Sequence, residues 1–221
     1  EGQRLMDDLV DLEIEAIGRI LAKVDADEEP EIIKMVEKET WELLLKTGEE
    51  GRRTGLGFTA LADMVAALGM KYDSDESIEF IEGMMKEKCR AEFDCSIDMS
   101  LERGSFVGFD KDIEETSEFV QMLKVELPEV YERMMKFGRR NISISTVAPT
   151  GTLSMLAQTS SGIEPVFMTE YKRRRKLNDR DTEEKVDFID DMGDKWQEFT
   201  VYHHNLKKWM EITGETDAKK S

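Results

Sequence analysis

Ile142, Ile144 and Thr146 alternate with Ser143, Ser145 and Val147. This period of two in β-branched residues predicts a buried strand. Ala148-Pro149-Thr150-Gly151 must end it. Pro149 lacks the N–H that a ladder needs, and Gly151 permits a tight turn or the close approach of another group. Beyond it, Thr150 or Thr152 can cap a helix running through Leu153, Met155, Leu156 and Gln158. A strand, a hydroxyl-and-glycine turn and a helix start together present free backbone N–H groups along the positive end of the helix dipole. That arrangement suits a phosphate. It is equally the form of an ordinary strand-to-helix connection, and local chemistry does not choose between the two.

Most of the remaining chain carries helical spacing. Leu5, Leu9, Leu12, Ala16, Ile20 and Val24 recur at three- and four-residue steps among Asp and Glu, which predicts an amphipathic helix broken over 25–29. Pro30 suits the first turn of a second helix through Ile32, Met35, Val36, Leu43 and Leu44 to about Lys46, with Gly48 at its end. Residues 49–54 read as a charged loop, and a third helix is expected over 58–68. Ser74, or Asp73-x-x-Glu76, opens a long fourth helix through Ile78, Ile81, Met84, Met85 and Cys89 towards Met99. Residues 104–110 read as loop and 112–124 as an ambiguous stretch with a short helix. Pro128 starts a helix through Val130, Met134 and Phe137 that Gly138 ends. After the turn, 164–176 reads as extended and Asn178-Asp179-Arg180-Asp181 as a turn. Val186, Phe188 and Ile189 read as the return strand of a hairpin, and 194–212 as a last helix.

Composition excludes several classes of function. With 49 acidic and 31 basic residues the net charge is −18, which repels a nucleic-acid polymer but leaves room for a mononucleotide in a local pocket. A hydrophobic share of 39% supports a packed core rather than disorder. No apolar run reaches membrane length and no signal peptide is recognisable. Cys89 and Cys95 are too few for a disulfide framework, and a reducing, cytoplasmic location fits them. The chain begins at Glu1 rather than Met and ends on Asp-Ala-Lys-Lys-Ser221, so both ends read as cut from something longer.

Other motifs are weaker. Gly55-x-Gly57-x-x-Ala60 has the spacing of a dinucleotide fingerprint without a predicted strand before it, and a glycine-permitted close approach explains it as well. No Walker-type Gly-Lys-Ser/Thr is present. Cys89 and Cys95 lie ~240° apart around a helix, so they read as packing residues rather than zinc ligands. His203 and His204, adjacent in an expected helix, point to different sides and cannot chelate one metal well. Lys172-Arg173-Arg174-Arg175-Lys176 reads either as an anion-attracting patch or as a strand whose charges discourage edge pairing.

The run Ala148-Pro149-Thr150-Gly151-Thr152-Leu153-Ser154 is followed by Ser160-Ser161-Gly162-Ile163-Glu164-Pro165-Val166-Phe167. It resembles the nucleotide-binding segment of ribonucleotide reductases, most closely the adenosylcobalamin-dependent class (class II). A second stretch is similar to the same family in the same order: Arg52-Arg53-Thr54-Gly55-Leu56-Gly57-Phe58-Thr59-Ala60-Leu61-Ala62-Asp63, then Leu68-Gly69-Met70-Lys71-Tyr72. The resemblance spans about 50–200. It implies an α/β fold, a helix-rich fragment of the ten-stranded reductase barrel. Residues 1–221 would then form one partial catalytic-barrel domain: a helical lead-in (1–50), helical segments (51–138), and a strand, phosphate-binding turn, hairpin and final helix (139–221).

The resemblance also implies the chemistry. The family replaces the 2′-hydroxyl of a ribonucleotide with hydrogen, starting from a radical supplied by adenosylcobalamin. Residue by residue, Ala148, Pro149, Thr150, Gly151, Thr152, Leu153 and Ser154 match the segment that holds the substrate's phosphates, and Glu164 lies where a supporting role near the active site is implied. The family's reactive cysteine sits in an Asn-x-Cys-x-Glu pattern that this sequence lacks; Cys89-Arg90-Ala91-Glu92 does not match it. No catalytic or metal residue is therefore assigned, and the isolated chain is expected to be inactive. The implied partners are a ribonucleoside di- or triphosphate and the remainder of the barrel, in cis or in trans. Two other readings stand beside this one: a non-catalytic nucleotide- or phosphate-binding or assembly module, and a large-subunit piece of the oxygen-dependent (class I) reductases.

Overall fold

A computed structural model describes residues 1–178, 184–203, 205–214 and 216. Among them the helices are α1 (Gly2–Ala26), α2 (Glu31–Gly51), α3 (Leu61–Ala67), α4 (Asp75–Arg103), α5 (Lys111–Glu114), α6 (Glu118–Glu126), α7 (Pro128–Phe137), α8 (Gly151–Ala157) and α9 (Leu206–Thr213). The strands are β1 (Glu170–Lys176), β2 (Phe188–Ile189) and β3 (Lys195–Tyr202). The chain divides into two compact units. The first comprises Glu1–Phe58 and Val65–Pro149, the second Thr59–Met64 and Thr150–Ser221. Asp179, Arg180 and Asp181 of the expected turn, and His204, lie outside the described residues.

In the first unit the helix boundaries follow their local signals. The Ser74 hydroxyl accepts from the Ser77 N–H and caps α4. Asp110 caps α5 through the N–H groups of Asp112 and Ile113. Pro128 occupies the start of α7, and Gly138, at φ 76°, follows its end. The core joins α4, α6 and α7: Phe93 and Ile97 meet Val120, Leu123, Leu127, Val130 and Met134, with Ile144 against them. Each such aliphatic side chain contributes about 1.5–3 kcal/mol on leaving water.

The buried side of α1 is not the leucine stripe. Gln3, Asp7, Val10, Ile17 and Val24 are buried, whereas Leu5 and Leu12 are 62% and 57% exposed. In α2, Ile32, Met35, Val36, Leu43 and Leu44 are likewise exposed. The three- and four-residue spacing predicts the helices correctly, but α1 turns a mixed face inward: Val24 of the predicted stripe is buried together with Val10, Ile17 and the polar Gln3 and Asp7. Asp7, fully buried, lies at its centre. Its Oδ1 accepts from Arg52 Nε and Asn141 Nδ2, both at 2.9 Å. Its Oδ2 lies 3.2 Å from Arg103 Nη1 and 3.4 Å from Arg140 Nε. Asn141 is saturated: Nδ2 also donates to the Arg52 carbonyl, Oδ1 accepts from Gln3 and Ser96, and its N–H donates to Ser96 Oγ. Arg139, beside it, donates from Nη2 to both carboxylate oxygens of Glu114, at 2.8 and 2.9 Å, and packs against the rings of Phe93 and Phe106.

The segment after Asn141 is only partly the buried strand that its alternation predicts. Leu56 and Ser145 form a parallel bridge, flanked by bonds from Thr54 N–H to the Ser143 carbonyl and from Leu56 N–H to the Ile144 carbonyl, both 2.9 Å. Asn141 and Ile144 are buried, Thr146 is half-buried, and Ile142, Ser143, Ser145 and Val147 are exposed. Pairing and cover come from one side among the described residues, so the opposite face stays bare. The bridge also explains the paired glycines. A Cβ on Gly57 would lie 2.7 Å from the Thr146 carbonyl oxygen, and one on Gly55 would lie 3.2 Å from Thr146 Cγ2. These are close approaches between extended segments, not a dinucleotide turn.

In the second unit the expected last helix over 194–212 is corrected: residues 195–202 are β3, and α9 begins only at Leu206. The sheet order is β1-β3-β2, with Glu170 opposite Tyr202, Lys176 opposite Trp196 and Phe188 also opposite Trp196. The strand that pairs with β1 is therefore β3, and Phe188 and Ile189 add an outer strand. The reversal is built by Asp190, whose Oδ1 accepts from the N–H groups of Met192 and Asp194 and whose Oδ2 accepts from Trp196 Nε1. Trp196 then stacks on Phe188 at 6.2 Å. The basic run lies along β1, exposed, with Lys172 and Arg174 both paired to Glu198, Arg175 to Glu184 and Lys176 to Asp194. It is a charged hairpin strand with its own counter-ions. His203 follows β3 instead of lying within a helix.

Candidate functional site

Ala148 and Pro149 close the first unit and Thr150 opens the second. Thr150 is the N-cap of α8, with φ −75° and ψ 54°, yet its side chain makes no capping bond. Gly151, Thr152 and Leu153 are exposed, and none of their N–H groups meets an acceptor among the described residues. A Cβ built on Gly151 finds nothing within 4 Å. No neighbour among the described residues therefore requires the glycine, and its Cβ direction is open. Ser154 differs from its neighbours. It is buried, its N–H is bound to the Thr150 carbonyl at 2.8 Å, and its hydroxyl donates to the Gly151 carbonyl at 2.8 Å. Its donors are spent inside the helix, so the open set is Gly151, Thr152 and Leu153 with the hydroxyls of Thr150 and Thr152.

Beside this turn lies a loop that ends α8. Gln158 adopts the left-handed conformation, φ 56°, and Thr159 N–H returns to the Ser154 carbonyl at 3.0 Å. Ser160 is then held from both sides: its N–H donates to Asp63 Oδ2 at 2.8 Å and its carbonyl accepts from Thr59 Oγ1 at 2.6 Å. Gly162 N–H donates to Thr150 Oγ1 at 3.4 Å. Both family-like stretches of sequence contain these residues, but nothing in either stretch alone pairs Asp63 with Ser160. Glu164 is exposed and accepts from Ile163 N–H at 3.2 Å.

The remaining candidates carry no site. Cys89 and Cys95 sit on α4, half-buried and unpaired. Burial pushes both thiols up from their ordinary value, with Glu92 adding to the effect at Cys89, so neither is an activated nucleophile at neutral pH. Among the described residues no three His, Cys, Asp or Glu side chains come together as a metal site. Among the described residues no helix is long and apolar enough to cross a membrane.

The family profile of the ribonucleotide reductase barrel domain matches residues 31–208. The chain belongs to the ribonucleotide reductase barrel-domain family. Its helix-rich fold with a small sheet is a piece of that α/β barrel. Among reductase relatives, the chain is similar to a vitamin B12-dependent ribonucleoside-diphosphate reductase of Mycobacterium tuberculosis (strain CDC 1551 / Oshkosh), 34% identical over 55% of this chain and 15% of the relative. A protein of the same description from Thermoplasma acidophilum is 29% identical over 81% of this chain and 20% of its own length. A ribonucleoside-diphosphate reductase subunit alpha of Treponema pallidum is 25% identical over 57% of this chain and 15% of its own. The chain thus spans a fifth or less of these reductases.

Proposed function

We propose that the chain is part of a ribonucleotide reductase and supplies the turn that holds the substrate's phosphates. The observation that carries this is the mouth of α8, where exposed N–H groups of Gly151, Thr152 and Leu153 lack acceptors and Gly151 faces open space. Ala148 and Pro149 set the entry to the turn, Thr150 and Thr152 add hydroxyl donors, and Ser154 stiffens it from within. Amides held in place before substrate arrives bind an anion without reorganisation. Fixing the phosphates orients the ribose, so most of the turn's value is positional. Glu164, exposed within the run 160–167, has a supporting part.

The substrate is a ribonucleoside di- or triphosphate, and the names of the relatives favour the diphosphate. The reductase class is the adenosylcobalamin-dependent one: the 34% and 29% identical relatives are named B12-dependent, against 25% for the relative named only as a subunit alpha. When bound, the cofactor supplies the initiating radical. No residue is assigned to the cofactor and no step is derived through it. The reactive cysteines come from elsewhere in the protein, and this chain alone is inactive. Both units belong to one barrel-derived domain, and the rest of the barrel covers Leu153, Met155, Leu156 and the 97% exposed Phe167. A cytoplasmic setting accords with two unpaired thiols.

The test is complementation. The chain is combined with the remaining reductase barrel, and deoxynucleotide formation is followed with and without adenosylcobalamin. Cobalamin-dependent product is expected, with Gly151→Ala and Thr152→Ala each raising KM while the thermal midpoint of the chain stays near that of the parent. Product without cobalamin would support the oxygen-dependent class. No product under either condition, with nucleotide still bound, would support a non-catalytic binding module.

A further inference from the structure

We infer that the outward face of α2 is the docking surface for a second copy of this chain, the two α2 helices packing antiparallel. Helix α2 runs for 21 residues with only Gly51 fully buried, and helices in proteins draw most of their stability from packing. Its inner side carries half-buried Lys38, Trp41, Leu45 and Gly48. That side is tied to α1 by the Lys38–Asp25 ion pair at 2.9 Å and by the approach of Ile14 to Gly48. A second seam runs along the opposite side. Ile33, Val36, Thr40, Leu43 and Thr47 recur at steps of three and four, the a and d spacing of a coiled coil, and every one of them is exposed. Thr40 Oγ1 and Thr47 Oγ1 donate to the Val36 and Leu43 carbonyls, each at 3.0 Å. Their hydroxyls are spent within the helix and do not oppose an apolar contact.

Charge selects the occupant and its direction. Antiparallel layers set Thr40 against Leu43 of the second copy and Val36 against its Thr47, a smaller side chain facing a larger one each time. The same register places Glu39 of one copy beside Lys46 of the other, and the two-fold axis repeats the pair with the roles exchanged. Parallel packing sets Glu39 against Leu44 and makes no such pair. Both charges are available: Glu39 and Lys46 are exposed, Glu39 makes no ion pair among the described residues, and Lys46 reaches only Glu50, at 4.0 Å. A chain of net charge −18 repels its own copies in general, so a face where they meet needs opposite charges in contact. The seam is one helix long, about 31 Å, which fits a reversible association in the micromolar range rather than an obligate dimer. It shares no residue with the phosphate-binding turn, so the two stand or fall separately.

The experiment is sedimentation equilibrium of the full chain across the micromolar range, with circular dichroism and the urea midpoint as checks on the fold. The parent is expected to pass from monomer to dimer as concentration rises. Val36→Gln and Leu43→Gln, both at exposed helix positions, should each weaken the dimer about tenfold with the urea midpoint near that of the parent. Glu39→Lys alone and Lys46→Glu alone set like charges together and should also weaken it. Mixing those two variants aligns opposite charges in both pairs, so a heterodimer tighter than either homodimer is expected, and the double exchange within one chain should recover the parent's affinity. A chain that stays monomeric at every concentration overturns the inference and leaves the face to the remainder of the reductase polypeptide. A dimer that ignores the α2 variants but dissociates in Leu9→Gln places the contact on α1 and overturns it as well. A dimer lost in Val36→Gln and Leu43→Gln, with no gain on mixing the charge variants, defeats the antiparallel register.

Discussion

Removing the Asp7 carboxylate is expected to cost more stability than removing any single exposed leucine of α1. Asp7 is fully buried and faces Arg52, Arg103, Arg140 and Asn141. Asp7→Ala leaves the buried Arg52 with Asp11, at 2.7 Å, as its remaining carboxylate, and strands one donor of Asn141. Breaking a buried pair in this way costs about 3–5 kcal/mol, or about 6–20 °C in Tm for a chain of this size. Asp7→Asn keeps the shape and loses the charge, which places it at about 1.5–3 kcal/mol, the worth of hydrogen bonds to a charged group. The acid limb supplies an independent check. Burial works to raise the Asp7 carboxyl, but hydrogen bonds from Arg52 and Asn141 and the charges of Arg52 and Arg140 outweigh it, and the net shift is downward. A carboxyl whose folded value lies below its unfolded value of about 3.9 stabilises the fold fully above that pH and loses the contribution as pH falls through the folded value. Urea denaturation of parent and Asp7→Asn from pH 7 to pH 2 should therefore converge at the acid end. A difference that stays constant with pH, or an Asp7→Ala variant within 1 kcal/mol of the parent, would refute the keystone role of this carboxylate.

Two further outcomes follow from close contacts and burial. Gly57→Ala places a methyl 2.7 Å from the Thr146 carbonyl oxygen, and forcing the two extended segments apart should cost about 1–3 kcal/mol; faster exchange of the Leu56 and Thr146 amides reports it, and an unperturbed bridge would contradict the close-approach reading. Cys89 and Cys95 should alkylate more slowly at pH 7.5 than an unperturbed thiol and only speed up above the ordinary thiol range, because burial raises both; brisk labelling of folded protein at pH 7.5 would show the thiols to be more accessible than the structure has them.

Local signals carried much of the fold. Ser74, Pro128 and Gly138 mark real helix ends because capping and proline geometry act within a few residues. The stretch from Trp196 to Met210 misleads because Trp196, Phe199, Leu206 and Met210 fit helical spacing while Phe199, Val201 and Tyr202 also favour a strand. Pairing with β1, whose residues lie twenty or more positions earlier, decides it. The buried face of α1 was illegible for a similar reason. Asp7 looks like one more solvated acid until Arg52 and Asn141 reach it from distant parts of the chain. At the candidate site, the turn from Ala148 to Ser154 was legible as a motif, with its open amides following from helix geometry. The clamp of Asp63 on Ser160 spans 97 positions, and no periodicity encodes such a pairing.

The way α1 is held has a mechanical consequence. Methyl groups pressed together tolerate sliding, since one apolar contact substitutes for another at little cost. A carboxylate gripped by a guanidinium and an amide along fixed bond directions does not. Helix α1 is keyed like a shaft in a slot, unable to rotate or advance by a turn without breaking the Asp7 contacts, and so Leu5, Leu9 and Leu12 are presented at one set azimuth.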